Sequence, residues 1–292
     1  MSPALGYEYQ NERPDVLREF SAGWDSIMEV SDPPPEIDYG HGLAIRNQAN
    51  RPSCRGHSLA ACGRMGARLA SGSDIDLNND GKAGEPVLDD FSPLWCWVRT
   101  QIHGGTVGAQ RGATMSGGVK AAMQDGFATE ADWPYSKQHT TQFPADVAAK
   151  AKLFTFKRYA TLSEEQQVHD WLASGQGPCE WGKTWPFAWR GGCLVESSPG
   201  RGGGHATAIR GYWTGARVAR EVPGIADRVR NEPYVYVCEN SHGSQAQFKG
   251  LYFVSRAGMA ATLRNAQTHL LGWSDMASPL VRKFNWAAAK IV

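Results

Sequence analysis

What this 292-residue chain lacks narrows its class before any motif is read. It lacks net charge: 30 Lys and Arg against 29 Asp and Glu leave a formal +1. No whole-molecule field therefore favours nucleic acid or a membrane surface as a partner. It lacks an uninterrupted apolar run of the length a bilayer requires, and Met1 to Leu43 lacks the basic start and apolar core of a secretory signal. The chain as given reads as cytoplasmic. It also lacks paired cysteines. Cys54, Cys62, Cys96, Cys179, Cys193 and Cys238 are spread out, most of them in apolar or strand-like contexts where buried free thiols are common. Cys54-x-x-His57 is a local metal-like spacing, but no second close pair accompanies it, which argues against zinc. What is present, 41% hydrophobic residues with 11 Trp, suffices for a large core or two lobes.

Cys54 is the one cysteine with a reactive address. The stretch Asn47-Gln48-Ala49-Asn50-Arg51-Pro52-Ser53-Cys54 is a turn-rich loop running into the helical pattern of Ser58 to Ala70. A thiol in the first turn of a helix feels the positive end of the macrodipole and unpaired N–H groups, both of which favour the thiolate. Gln48, upstream in the same loop, offers an amide to a developing oxyanion. Downstream, His205 follows the glycine run Gly202 to Gly204 and opens an alternating, strand-like stretch. Asn240 ends another, Tyr234 to Glu239. In such a set the imidazole takes the thiol proton and the asparagine carbonyl fixes the imidazole tautomer.

These residues resemble the papain-like cysteine peptidase family, in a divergent form of bacterial or phage type. The resemblance rests on Gln48 and Ser53-Cys54, on His205-Ala206 with Gly211-Tyr212, and on Asn240-Ser241 with Gly243 and Gly250. Pro34-Pro35-Glu36-Ile37-Asp38-Tyr39, Glu130 to Tyr135 and Gly177-Pro178 support it, so it runs from about residue 34 to 257 in order. It implies an α+β, two-lobe fold: a helical lobe with the nucleophile and an antiparallel β-barrel-like lobe with His and Asn, facing across a cleft. The expected division is an arm over 1–33, a helical lobe over 34–152, a β-rich lobe over 153–257 and a C-terminal extension over 258–292. It also implies peptide cleavage through a thioester, with Gln48, Cys54, His205 and Asn240 as the catalytic set and no required cofactor. Gly112, Ala113 and Gly204 are candidates for holding substrate backbone. The chain before Pro34 is too short for the long inhibitory leader of many secreted members. Met1 to Asp32 reads as a short arm packed against the back of the domain, with a helix over Arg13 to Trp24.

The departures matter too. Asn240 lies beyond the roughly 130–150 residues that usually follow the nucleophile. The excess lies in Trp213 to Pro233, an insertion of mixed amphipathic character read either as a solvated elaboration or as a basic lid beside the cleft. His242 and Ala246 stand where the family usually carries tryptophans, and both changes are expected to open the site to water. Three other readings stay beside the peptidase: an acyltransferase on the same fold, a structural or virion-associated protein using its terminal segments for assembly, and, at Asp76, Asn78 and Asp80 before Gly81, a structural calcium loop or a hydrated acidic turn. His57 is expected to be an exposed or packed helix residue.

Overall fold

A computed structural model describes residues 6–8, 12, 30, 32–71, 90–185, 189–196 and 203–277. The candidate calcium residues Asp76, Asn78 and Asp80, and the expected helix over Arg13 to Trp24, lie outside the described residues.

The first helix, α1, spans Cys54–Ser71 and is buried for most of its length. It is built for close approach rather than for an amphipathic face. A side chain at Gly56 would meet Pro93 O at 2.4 Å, and one at Gly63 would meet the Phe127 ring at 2.7 Å. Small residues thus let α1 run through the centre, touching α2 (Pro93–Gly104), Phe127 and Phe156. Helix α2 starts where its sequence says: the Ser92 hydroxyl accepts from Trp95 N–H at 3.0 Å, Pro93 follows, and Gly105 ends the helix at φ 68°. The apolar spacing of Met115 to Gly126 predicts a third helix. It runs as α3 (Met115–Lys120), then widens into a π turn over Ala121–Asp125 that closes at Gly126, φ 73°. Helix α4 is Ala145–Ala151, and α5 (Glu165–Ala173) carries the expected cap as a reciprocal pair between Glu164 and Gln167.

Among the described residues nine strands form one sheet: β1 (Ile37–Asp38), β2 (Thr155–Thr161), β3 (Cys179–Trp185), β4 (Trp189–Arg190), β5 (Leu194–Val195), β6 (Gly203–Trp213), β7 (Val235–Glu239), β8 (Leu251–Val254) and β9 (His269–Ala277). Their order is β2-β9-β3-β6-β7-β8-β5-β4, with β1 beside β6. The fold is α+β as expected. The boundary expected at 257 falls inside the sheet, however: β9 lies between β2 and β3, its Trp273 is buried, and helix α8 (Arg256–Leu263) precedes it. Burial of the alternate residues Leu271 and Trp273 ties this segment to the core.

The insertion also has a place. It folds as α6 (Gly215–Glu221), a tight turn and α7 (Ala226–Val229), and buries Val218, Val222, Ile225 and Val229 against Trp213, Val235, Val237 and Phe253. Arg217 lies 3.8 Å over the Trp213 ring and pairs with Glu36 at 2.7 Å. Trp213 and His205 are at opposite ends of β6, roughly 25 Å apart at about 3.3 Å per residue. The insertion therefore covers the sheet far from His205, which rules out the reading as a lid beside the cleft.

Arg55, next to Cys54, is buried and paired with buried Glu180 of β3. Its guanidinium also donates to Thr114 O at 3.2 Å and Met115 O at 3.3 Å, while Glu180 accepts from Ser58 and, at 3.3 Å, from Trp273 Nε1. Removing one partner leaves an uncompensated buried charge. Glu180→Ala is expected to lower unfolding stability by about 3–5 kcal/mol, with part of that recovered in Arg55→Met/Glu180→Met, as read from urea denaturation midpoints.

Candidate active site

The elements bring the four expected residues to one place. Cys54 opens α1, and its Sγ accepts from Ala206 N–H of β6 at 3.3 Å. His205, one residue earlier on β6, donates from Nε2 to Asn240 Oδ1 at 2.9 Å. That orientation is fixed by the rest of the asparagine: Nδ2 donates to His242 Nδ1 at 3.0 Å and to Gln247 Oε1 at 3.1 Å, and Oδ1 also accepts from Ser241 N–H at 2.9 Å. His205 Nδ1 is left buried and without a hydrogen-bond partner among the described residues. It is the nitrogen available as a base.

The late position of Asn240 has a topological cause. Strands β6 and β7 pair antiparallel with Ala208 opposite Glu239, so Asn240 returns beside His205 however long the connection at the far end is. The insertion adds residues without moving the site.

Gln48 is buried on the same loop as Cys54. Its Nε2 donates to Arg51 O at 2.9 Å, and its Oε1 accepts from Ser241. Two backbone hydrogen bonds hold this loop against the Asn240 loop, Gln48 N–H to Ser241 O at 2.7 Å and Gly243 N–H to Arg46 O at 3.1 Å, and together they pair Asn47 with His242. Tyr135 braces the loop from the other side, donating to Gln48 O at 2.9 Å and sitting 2.6 Å from Ser53 Oγ, with Arg51 over its ring. The segment Glu130 to Tyr135 signalled this neighbourhood but not the role of its tyrosine. His57 is the packed alternative: buried, 3.1 Å from Ser53 O, edge-on to Tyr135, and kept neutral by burial down to about 3.

Two expectations fail here. Substitution at His242 was expected to open the site, yet His205 is 0% exposed and Asn240 2%. Trp185 of β3 packs on the His205 ring at 4.6 Å between centroids, and His242 stacks on it at 5.2 Å and 22°. Shielding comes from His242 itself and from a tryptophan on another strand, which no local motif marks. The arm was expected at the back of the domain. Instead residues 6–8 lie in the cleft: Ala113 N–H donates to Gly6 O at 2.7 Å, Glu8 N–H to Ala113 O at 3.0 Å, and Tyr7 N–H to Gly204 O at 3.1 Å. Glu12 accepts from the N–H of Ser116 at 2.9 Å and from that of Met115. Of the substrate-backbone candidates, Ala113 and Gly204 thus hold the chain's own arm. Gly112 lies beside them, where an added Cβ would meet Gly6 O at 2.3 Å, and its carbonyl accepts from Gln101 at 3.1 Å.

A depressed thiol pKa was expected at a helix start, but Cys54 is 0% exposed, and burial pushes its pKa up to about 11 although the N–H groups of Ala206, Gly6 and Arg55 oppose the rise. Burial likewise lowers His205, and the Lys183 charge adds to this. Lys183 sits opposite His205 on β3, bonded to Thr207 Oγ1 and against the Trp181 ring at 4.2 Å. Burial pulls its ammonium down to about 7. Among the described residues no group of three His, Cys, Asp or Glu could hold a metal, and no helix is long and apolar enough to cross a membrane.

No protein-family model matches the sequence, and no curated protein does at a significant level. Solved structures do match. Xylellain, a cysteine protease from Xylella fastidiosa, aligns with TM-score 0.65 at 19% identity over 93% of this chain and 97% of its own. Digestive procathepsin L2 from Tenebrio molitor larval midgut aligns at 0.62 and 14% over 90% and 76%, and procathepsin B S9 from Trypanosoma congolense at 0.55 and 11% over 88% and 86%. The chain has the papain-like cysteine protease fold.

A Cβ on Gly6 would lie 1.9 Å from Pro52 O, so Gly6→Ala cannot keep the arm in place. The substitution is expected to expose Cys54 and raise its rate of iodoacetamide labelling at neutral pH at least about tenfold, since each unit of pKa lost multiplies the thiolate tenfold. An unchanged rate, by peptide mass mapping, counts against coverage by the arm. For Lys183 the folded pKa lies below the unfolded one, so between about 7 and 10.5 the unfolded chain binds the extra proton and stability rises with pH. Lys183→Met removes the burial cost of the ammonium. Its gain in melting temperature over the unsubstituted chain should be largest near pH 6 and shrink by pH 10.

Proposed function

We propose that this chain is a cysteine endopeptidase that cleaves peptide bonds through Cys54, His205 and Asn240, and that its arm must leave the cleft before substrate enters. The observation that carries the reading is the convergence of Sγ on the β6 backbone at Ala206 with the His205 Nε2 to Asn240 Oδ1 bond at 2.9 Å. In the proposed cycle His205 Nδ1 takes the thiol proton and Sγ attacks the scissile carbonyl. The oxyanion is held by Cys54 N–H and the Gln48 amide. The imidazolium returns the proton to the leaving amine, and water, deprotonated by His205, hydrolyses the thioester. Asn240 keeps the proton on Nε2 throughout, so that Nδ1 remains the base.

Burial supports this division of labour. A dry site strengthens the attraction between thiolate and imidazolium once both form, while the arm keeps the thiol protonated until it is displaced. The chemistry needs no cofactor, and the partner is an extended polypeptide lying along Ala113 and Gly204. We place its action in the cytoplasm.

The full chain carrying Gly6→Ala is expected to hydrolyse an unfolded protein such as reduced casein near neutral pH. Cys54→Ala should abolish this, and His205→Ala should lower kcat/KM by about 10²–10⁴. Mass analysis of the products separates the alternatives: a new free carboxylate marks a peptidase, and an acyl group joined to an added amine marks an acyltransferase. Labelling of Cys54 in the Gly6→Ala chain that is no faster than at the other five cysteines and indifferent to His205→Ala would remove the enzyme reading in favour of a structural role.

A further inference from the structure

Asn240 makes four hydrogen bonds with its side-chain amide, and their pattern decides which end faces His205. Oδ1 accepts from His205 Nε2 at 2.9 Å and from Ser241 N–H at 2.9 Å; Nδ2 donates to His242 Nδ1 at 3.0 Å and Gln247 Oε1 at 3.1 Å. The Ser241 N–H is a donor in every protonation state, so Oδ1 faces it and, with it, His205 Nε2, while Nδ2 donates to His242 Nδ1 and Gln247 Oε1; a flipped amide would set an N–H group against the Ser241 N–H. His242 and Gln247 therefore hold the asparagine in the orientation that fixes the base. His242 also lies face to face with His205, 5.2 Å between centroids at 22°. One residue thus does two things: it accepts from Asn240 and covers the imidazole.

We propose that His242 is a positioning residue for the His205–Asn240 pair and that its protonation turns the pair off. The proposal rests on the reading of that pair as the catalytic base and its orienter. When Nδ1 takes a proton it becomes a donor facing a donor, the Asn240 Nδ2 bond is lost, and only Gln247 is left to hold the amide. The same proton places a cation against the ring of His205, which must itself be positive while the thiolate exists. Both effects act against the thiolate–imidazolium state.

The surroundings give the direction. The titratable groups that sense His242 are His205 on β6 and His57 on α1, whose protonated forms it disfavours. Trp185 of β3 meets it edge-on at 6.3 Å, and Asn47 pairs with it by backbone. The Lys183 ammonium acts on His205 and adds to the positive field there. No carboxylate contributes to the shift of His242: burial alone lowers its pKa from the ordinary histidine value. It is neutral at pH 7 and takes its proton on the acid side. Its Nε2 is buried without a hydrogen-bond partner among the described residues, so nothing there competes to hold the ring in another orientation.

The test uses the full chain carrying Gly6→Ala, with His242→Gln, which can accept from Asn240 but does not titrate, and His242→Phe, which can stack but neither accepts nor titrates. The rate of Cys54 alkylation by iodoacetamide is followed from pH 4 to 9. With His242 the rate should fall through an acid limb whose midpoint matches the His242 titration seen by ¹⁵N NMR of the imidazoles. In His242→Gln the component at the His242 midpoint should be lost and the limb move to lower pH, where only the thiol itself protonates, so that the rate at pH 5 relative to pH 7.5 rises about tenfold, the equivalent of a one-unit shift. His242→Phe should also lose that component but run slower at every pH, because the amide is held less well. In parallel, the Asn240 side-chain amide protons should shift with the His242 midpoint. The proposal is overturned if the acid limb is the same in His242→Gln, or if the Asn240 amide titrates identically without His242. The NMR arm needs no catalysis. If His205→Ala leaves Cys54 labelling unchanged, the peptidase reading fails by itself, and the coupling of Asn240 to His242 is still decided.

Discussion

The buried ion pair between Arg55 and Glu180 is the constraint on which the site's geometry rests. Arg55 follows the nucleophile directly, so whatever fixes its guanidinium fixes the first turn of α1. Its three partners lie on two other elements: Glu180 on β3, and the carbonyls of Thr114 and Met115 at the start of α3. Glu180 in turn accepts from Trp273 on β9. A charged pair of 0% exposure is costly to desolvate and stays favourable only with every donor and acceptor engaged. Hydrophobic packing alone would let α1 slide. The pair sets its position along the sheet, and with it the distance of Sγ from Ala206.

A second level of control is the seam between the loop before α1 and the loop after β7. Backbone bonds from Gln48 to Ser241 and from Gly243 to Arg46 keep nucleophile and orienter in register although the sequence separates them widely. Gln247 and Lys249 on the Asn240 loop adopt positive φ, 44° and 54°, conformations that non-glycine residues hold only when their surroundings over-determine them. The strain falls where Gln247 must turn its carbonyl toward Asn240.

Coverage by the arm ties energetics to function. The contacts of residues 6–8 use backbone groups of Ala113 and Gly204, so under the proposed function arm and substrate would compete for the same hydrogen bonds. Cys54 is desolvated in the folded chain, and burial raises its thiol pKa, the reverse of what the start of a helix favours. A local electrostatic rule is overruled here by burial.

By itself the sequence determined which residues meet at the candidate site and the secondary structure around them. Cys54 at a loop–helix junction, His205 entering a strand and Asn240 leaving one were legible because each depends on local signals: turn residues, periodicity and the chemistry of the side chain. Tertiary structure alone decided what depends on residues far apart in the chain. It brought Trp185 from β3 over His205, so that His242 did not open the site. It wove β9 into a sheet expected to end at residue 257, and placed the insertion at the far end of β6. It also laid Gly6 to Glu8 in the cleft rather than behind the domain. No local pattern encodes these, because strand order, register and burial are properties of contacts between segments, and a side chain's environment is fixed only when those contacts form.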